Sequence, residues 1–233
     1  MIPSGEEINR RLAEEGTDPF PPGGPALDLL ERFAGEVSRW ARRTHLVGKS
    51  RIEDTILVSL LDSLHLLRFA ESSGDLEQPA GRRRAVADIG SGAGFPGIVW
   101  AIARPDIDVT LFERRGKPRL FLERTIRLLG IGRAAAVEGE AVGGGRSGRF
   151  DVVISKAAGR LEDLAPIAEA LLREEGAYLT IKGEGWEGEL AGLRSGGLML
   201  ASVGAIPGGR GSILRLRRTA SSAEAEERRH NGQ

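Results

Sequence analysis

The chain has 233 residues, and its 33 lysines and arginines balance its 33 aspartates and glutamates. This length is enough for one large α/β domain with a small addition. The balanced charge excludes a global positive field that would attract nucleic acid, so any such contact must be local. The absence of cysteine excludes disulfides and thiolate sites, and three scattered histidines argue against a metal site.

Signals for a membrane or for export are missing from the sequence. No run of about 18 apolar residues could form a transmembrane helix, and no basic segment is followed by an apolar leader. We therefore expect a cytoplasmic monomer that works without a membrane and without a metal.

Both ends of the chain are polar. Residues 1–25 are rich in glycine and proline, which predicts a disordered arm. Residues 218–233 consist mainly of alanine, serine, glutamate and arginine, which predicts a disordered tail. The folded part of the chain is expected between these two segments.

Two amphipathic helices are expected after the arm, at about residues 26–44 and 52–70. In each of them apolar side chains recur at helical spacing, so one face can be buried. A polar stretch beginning at Ser72-Ser73-Gly74-Asp75 is typical of a linker. Residues 26–75 are therefore predicted to form an N-terminal helical segment.

Strand-like and helix-like runs alternate from residue 76 to residue 217, which is typical of a parallel sheet covered by helices. The expected strands, of which the last two form a hairpin, lie near residues 85–89, 108–113, 134–138, 150–155, 177–182, 198–203 and 212–216. The prediction is one α/β domain with a seven-stranded, mostly parallel sheet.

The first predicted strand leads into a glycine-rich turn, Asp88-Ile89-Gly90-Ser91-Gly92-Ala93-Gly94-Phe95-Pro96-Gly97. Gly90, Gly92 and Gly94 allow positive φ and let a ligand approach the main chain closely. Ligands of open α/β sheets bind just beyond the carboxyl ends of the strands. The turn therefore predicts a loop that binds a nucleotide-type cofactor, and a turn without any ligand is the alternative.

The spacing of the glycines distinguishes two cofactors. The dinucleotide fingerprint G-x-G-x-x-G fits only when it starts at Gly92, two residues late. A carboxylate at Asp88 is poorly placed beside a pyrophosphate but suits a cationic ligand such as S-adenosylmethionine (SAM). We favour SAM, and a dinucleotide oxidoreductase remains an alternative.

Glu113 ends the second predicted strand, about 20 residues past the glycine turn, where an acidic side chain can accept hydrogen bonds from two ribose hydroxyls. Both SAM and NAD carry that ribose, so Glu113 supports an adenosine ligand without choosing between them. The alternative is a strand-end carboxylate that pairs with Arg114, Arg115 or Lys117.

This layout of alternating units and a terminal hairpin resembles the class I fold of SAM-dependent methyltransferases, which is Rossmann-like. Six sequence blocks carry a closer resemblance: Leu61-Asp62-Ser63-Leu64, Ala87 to Ile98, Val109 to Glu113, Lys117 to Leu122, Phe150 to Ser155, and Ile181-Lys182-Gly183-Glu184. They resemble the RsmG (GidB) family of 16S ribosomal RNA guanine-N7 methyltransferases, from about residue 28 to residue 217.

The resemblance implies a SAM pocket and an RNA partner. Its cofactor-binding residues, together with the neighbouring positions of the glycine turn, are Asp88, Gly90, Gly92, Gly94, Phe95, Glu113, Ala141, Val142 and Lys156. The implied partner is 16S ribosomal RNA or the small-subunit particle. The implied activity is rRNA methylation.

The chain departs from the family pattern at several polar positions. Lys156 stands where the family has arginine, which loses a planar, bidentate group, and Ala141-Val142 lacks the family's acidic residue. On the substrate side, His45-Leu46-Val47 replaces Asn-Leu-Thr, Val58-Ser59 replaces Arg-His, and Arg210-Gly211-Ser212 replaces Arg-His-Leu. SAM binding is therefore better supported than specificity for ribosomal RNA.

Guanine N7 is an unprotonated lone pair, so its methylation needs positioning rather than a general base. Lys156 and Lys182 are the candidate catalytic residues, holding a phosphate or the SAM carboxylate. Strand-end lysines that reach solvent are the alternative. Two other functions stay open: a diverged family member acting on another RNA or a small molecule, and a noncatalytic SAM- or RNA-binding module.

Overall fold

The computed structural model describes residues 2–44, 52–138, 147–193 and 197–219. Its elements are α1 (Gly5–Glu14), α2 (Pro25–Thr44), α3 (Ile52–Ser72), β1 (Ala85–Ile89), α4 (Gly97–Ala103), β2 (Asp108–Glu113), α5 (Gly116–Leu129), β3 (Ala134–Glu138), β4 (Phe150–Lys156), α6 (Leu161–Leu171), β5 (Leu172–Lys182), α7 (Trp186–Ala191), β6 (Leu198–Ala205) and β7 (Ser212–Arg218).

The strands form one seven-stranded sheet in the order β3-β2-β1-β4-β5-β7-β6. Strands β1 to β5 run parallel, and β7 pairs antiparallel with both β5 and β6. The closing hairpin therefore lies beside β5 with its last strand innermost. This arrangement confirms the predicted fold class.

Strands β1, β2 and β3 coincide with the predicted ranges, whereas β5 begins earlier than predicted, at Leu172. The register between β4 and β5 shifts, because Phe150 pairs with Leu172 and Val152 already pairs with Ala177. Glu175, within the shifted segment, has a φ of 59°. This irregularity breaks the alternating pattern by which the early part of β5 could have been recognised.

Residues 1–25 do not form a disordered arm as a whole, and that prediction was wrong for α1. Ser4 caps the helix by accepting a 3.2 Å hydrogen bond from the backbone N–H of Glu7. Ile8 and Leu12, one helical turn apart, are almost fully buried in the core. Two apolar residues in a polar segment were too weak a signal for the composition to reveal. Of the predicted tail, residues 220–233 lie outside the described residues.

The core has two layers, one on each face of the sheet. Helices α1 to α5 cover one face, and α6 and α7 cover the other. Trp100 of α4 is fully buried, and its Nε1 donates a 3.0 Å hydrogen bond to the carbonyl oxygen of Ser63 in α3. The N-terminal helices thus share a core with the sheet. Within the described ranges, no helix has the length and apolarity that a membrane span requires.

Candidate functional site

The glycine turn after β1 has the backbone that its sequence predicted. Gly90, Gly92 and Gly94 all have positive φ, at 71°, 53° and 93°. The N–H of Gly90 donates a 2.9 Å hydrogen bond to the carbonyl oxygen of Phe112, which ties the turn to the end of β2. A Cβ on Gly90 would lie 2.8 Å from that of Ala158, so the turn and the segment after β4 meet closely enough to require glycine.

Asp88 lies beneath this turn, fully buried. Its Oδ2 accepts a 3.0 Å hydrogen bond from the N–H of Gly97, and its Oδ1 has no hydrogen-bond partner among the described residues. Burial raises the pKa of Asp88 to about 7, although the hydrogen bonds oppose the shift. Asp88 therefore supports the glycine turn from below through Gly97, and its predicted role in cofactor binding stays a prediction.

A cleft of about 540 Å³ opens at the carboxyl ends of β1, β2 and β4. One wall contains Gly90 and Glu113, and the opposite wall contains Ala158, Asp163 and Ile167 from the segment after β4 and from α6. The cleft therefore lies at the edge of the sheet where α/β proteins bind ligands.

Glu113 lines the cleft and also binds the glycine turn. One of its carboxylate oxygens accepts a 2.9 Å hydrogen bond from the N–H of Gly92, and the other accepts hydrogen bonds of 2.9 and 3.0 Å from the backbone N and Nε of Arg115. Burial opposes ionisation, but these hydrogen bonds outweigh it and hold the pKa of Glu113 below its usual range. Glu113 thus lines the cleft and pairs with Arg115, as the alternative interpretation of the sequence expected, and its role in binding a ribose stays a prediction.

Lys156 ends β4 but does not line the cleft. Its Nζ donates a 3.2 Å hydrogen bond to Oγ of Ser59 and lies 3.9 Å from Oδ2 of Asp62, both in α3. The same Nζ lies 6.0 Å from the ring centroid of Phe95. Phe95 itself packs on Phe33, with their ring centroids 5.1 Å apart. Burial lowers the pKa of Lys156, and the charge of Asp62 opposes that shift.

Lys182, at the end of β5, is buried, and its ammonium group donates hydrogen bonds to two partners. Its Nζ donates 2.8 Å hydrogen bonds to the carbonyl oxygen of Gly159 and to Oε2 of Glu189. The same Glu189 oxygen accepts a 2.7 Å hydrogen bond from the N–H of Leu161, at the start of α6. Lys182 therefore holds the segment that forms one wall of the cleft and does not itself reach the cleft.

The remaining predicted cofactor residues divide into two groups. Gly94 serves packing, because a Cβ there would lie 2.7 Å from Ile98. Ala141 and Val142 lie outside the described residues, as do the substrate-side positions 45–47.

The sequence interpretation missed an ion-pair network on the α3 side of the same edge. Arg210 donates to Oδ1 of Asp62 at 3.0 Å and binds both carboxylate oxygens of Glu15 at 2.9 Å. His65 lies 2.6 Å from Oε2 of Glu15. Burial opposes ionisation of Glu15, but Arg210, His65 and Arg11 lower its pKa to about 2. These partners are far apart in sequence, so no local pattern could have revealed them.

It also missed the wall formed by α6. Asp163, Leu164 and Ile167 line the cleft. Their only sequence signal was that they follow the end of β4, where a helix must cross back over the sheet.

Comparison with known proteins agrees with this geometry. Residues 26–203 match the GidB family, described as rRNA small subunit methyltransferase G. A ribosomal RNA small subunit methyltransferase G from Halorhodospira halophila is 40% identical over 171 residues, which cover 72% of this chain and 75% of that protein. The protein of the same name from Sorangium cellulosum is 35% identical over 219 residues, covering 90% of this chain and 87% of the relative.

Solved structures share the fold at low identity. A variant of MtNAS in complex with S-adenosylmethionine has a TM-score of 0.57 and 16% identity, covering 93% of this chain and 84% of that one. The tRNA methyltransferase TrmI from Aquifex aeolicus has a TM-score of 0.53 and 12% identity, covering 70% and 68%. These neighbours bear on the fold, whereas the extent and identity of the sequence matches show the family. The chain belongs to the GidB family, the rRNA small subunit methyltransferases G.

Proposed function

We propose that this chain transfers the methyl group of SAM to N7 of a guanine in 16S ribosomal RNA, acting on the RNA or the small-subunit particle in the cytoplasm. The family match over residues 26–203 carries the proposal, since it spans the cleft and the helices beside it. The methyltransferase function and the SAM cofactor predicted from the sequence agree with this family. The choice of guanine N7 is the finer part of the proposal.

The residues of the cleft fit SAM. Glu113 supplies a carboxylate that can accept hydrogen bonds from the two ribose hydroxyls, and Gly90 leaves the main chain open where a side chain would meet Ala158. We assign ribose binding to Glu113 and close backbone contact to Gly90 and Gly92. Asp88 and Gly94 support these residues from below, through the turn.

When bound, SAM supplies an electrophilic methyl group on a positively charged sulfur. Guanine N7 attacks without losing a proton, so the chain has to orient the base, exclude water and accommodate the moving charge. The described lining of the cleft contains two carboxylates, Glu113 and Asp163, and the proposed reaction assigns neither of them the role of a general base.

Lys156 is assigned to hold an anionic group, either a phosphate of the RNA or the carboxylate of SAM. Among the described residues, its ammonium group donates a hydrogen bond only to Ser59 and lies near Asp62, so it has donors left for a ligand. Lys182 is assigned a positioning role through Gly159 and Leu161, and not a role in contact with substrate.

The test is methyl transfer from labelled SAM to small-subunit particles that lack the modification, with nucleoside analysis of the product by mass spectrometry. We expect label in 16S RNA as 7-methylguanosine, and large-subunit particles should stay unlabelled. Label at another atom or in another RNA would contradict the assigned specificity. SAM binding without any transfer would instead show a noncatalytic module.

One observation favours a second candidate, a diverged member of the family that acts on another RNA. The departures from the family pattern at positions 59 and 156 are in direct contact, because Nζ of Lys156 donates to Oγ of Ser59. The two changes therefore alter one place in the molecule, where α3 meets the end of β4. The same assay separates this candidate, which would label a different RNA.

A further inference from the structure

The cleft extends well beyond the carboxylate that we assign to the ribose. Across from Glu113, the first turns of α6 supply the apolar side chains of Leu164 and Ile167, and Phe112 lies on the β2 side. An apolar slot of this kind is suited to the faces of a planar base. With the ribose at Glu113, this part of the cleft is where the adenine ring has room.

The α6 wall carries one charged side chain that faces this space, that of Asp163. Within the described ranges Asp163 has no side-chain hydrogen bond and no ion pair. Its neighbour Glu162 differs, because it lies outside the cleft and pairs with Nε of Arg160 at 3.2 Å. Both are acidic residues in the first turn of α6, where they favour the helix electrostatically. Only Asp163 combines that position with a place in the cleft wall.

The other carboxylate of the cleft cannot serve the base as readily. Glu113 already accepts hydrogen bonds from Gly92 and Arg115, and its remaining acceptor capacity is assigned to the ribose hydroxyls. The pair Ala141-Val142, implied in cofactor binding by the family resemblance, has apolar side chains, so only its backbone carbonyls can accept a hydrogen bond. Asp163 is therefore the described cleft side chain that has acceptor capacity left for an amino group.

We propose that Asp163 recognises the 6-amino group of the cofactor's adenine ring and so selects adenine over a 6-oxo purine. The inference rests on the proposed function, since it concerns the base of SAM. An ionised carboxylate only accepts hydrogen bonds. It attracts the amino group of adenine and repels the carbonyl oxygen that takes its place in hypoxanthine.

The experiment compares two ligands by calorimetry on the full chain: S-adenosylhomocysteine and S-inosylhomocysteine, which differ at position 6 of the purine. We expect the wild type to prefer the adenosyl ligand by about tenfold or more, the size of one hydrogen bond to a charged acceptor. Asp163→Ala should bring the two affinities within about twofold of each other. The matched control Glu162→Ala, with the same loss of charge in the same helical turn, should keep the wild-type ratio.

Asp163→Asn provides a readout that a structural role would not change. Its amide oxygen can still accept from the 6-amino group, and its amide nitrogen can donate to a 6-oxo group. This variant should therefore bind S-inosylhomocysteine more tightly than the wild type does.

Three outcomes would overturn the inference. The adenosyl preference could survive in Asp163→Ala, or Glu162→Ala could reduce it equally, which would make it an effect of helix charge. In a third outcome, the wild type binds neither ligand, and the proposed function fails together with the inference. The first two leave SAM binding intact, so the two failures are distinguishable.

Discussion

Asp88 and Asp151 are both aspartates on adjacent parallel strands. Asp88 lies near the carboxyl end of its strand and Asp151 near the amino end of the other. Asp88 is the last residue but one of β1 and accepts one hydrogen bond from the N–H of Gly97, and burial raises its pKa to about 7. Asp151 is the second residue of β4 and accepts hydrogen bonds of 2.6 Å from Arg82 and 2.8 Å from Arg173. Burial also opposes ionisation of Asp151, but these arginines and the N–H of Ala85 lower its pKa to about 2.

The comparison indicates that buried charges at the amino ends of the strands stabilise the fold, whereas some at the carboxyl ends stay available for function. At the amino ends, the buried charge is surrounded by partners and contributes to folding. At the carboxyl ends, Asp88, Lys156 and Asp163 have few partners among the described residues, whereas Lys182 and Glu113 are each held by several hydrogen bonds. Groups with perturbed pKa values and spare hydrogen-bonding capacity cluster at functional sites, and in this fold ligands bind at that edge.

The largest expected effect concerns the amino end. Asp151→Ala leaves Arg82 and Arg173 without their buried partner, and the free energy of unfolding at pH 7 should fall by about 3–5 kcal/mol. Because the folded pKa of Asp151 is lowered, its stabilisation is present above pH 4 and is lost as pH falls through about 2. Urea unfolding at several pH values measures this. Asp108→Ala, at the exposed pair with Arg133, is the control and should cost less than about 1 kcal/mol.

The second effect concerns Asp88, near the carboxyl end of β1, and its contribution to stability should depend on pH in the opposite direction. The raised pKa of Asp88 means that its neutral form suits the fold, so its contribution is full below pH 3.8 and is lost as pH rises through about 7. Between those values the wild type should lose about 4 kcal/mol relative to Asp88→Asn, from a shift of about three pKa units. Urea unfolding at several pH values measures this for both proteins. If the free energy of unfolding depends on pH in the same way in both, the prediction is wrong.

The third effect is on binding. Glu113→Gln removes the charge that we assign to the ribose hydroxyls, and the affinity for S-adenosylhomocysteine should fall about 10–100-fold. Glu138→Gln is the matched control, because Glu138 ends β3 beside Glu113 in the register and does not line the cleft. Calorimetry on both variants decides, and an equal loss in the control would contradict the assignment.

The smallest expected effect is the change in stability caused by replacing Lys156. Lys156→Met removes an ammonium group that burial has already disfavoured, and Asp62 keeps its hydrogen bond from Arg210. The free energy of unfolding should change by less than about 1 kcal/mol, while methyl transfer should fall. A large loss of stability, measured by urea unfolding, would place Lys156 with the stabilising charges of the amino end instead.

Much of the fold could be predicted from local patterns. Strands β1 and β2 coincide with the predicted ranges because they are mostly buried, largely apolar runs between glycine, proline and polar breaks, and β3, at the edge of the sheet, is a short run of small apolar residues. Helix α1 was missed because only Ile8 and Leu12 mark its buried face. The wall of Asp163 and Ile167 was missed because it depends on where α6 crosses the sheet, which no local pattern specifies.

From sequence alone came the alternating α/β layout, the glycine turn, the acidic end of β2 and the family, because backbone conformation and periodicity are encoded by neighbouring residues. Only the tertiary structure decided how the polar groups are divided: Asp88 under the turn, Glu113 in the cleft, and Lys156 against Ser59. The reason is that the partners of a strand-end side chain come from helices far away in the chain. Their packing, and not the residue's own neighbours, determines whether a charge stabilises the fold or stays available to a ligand.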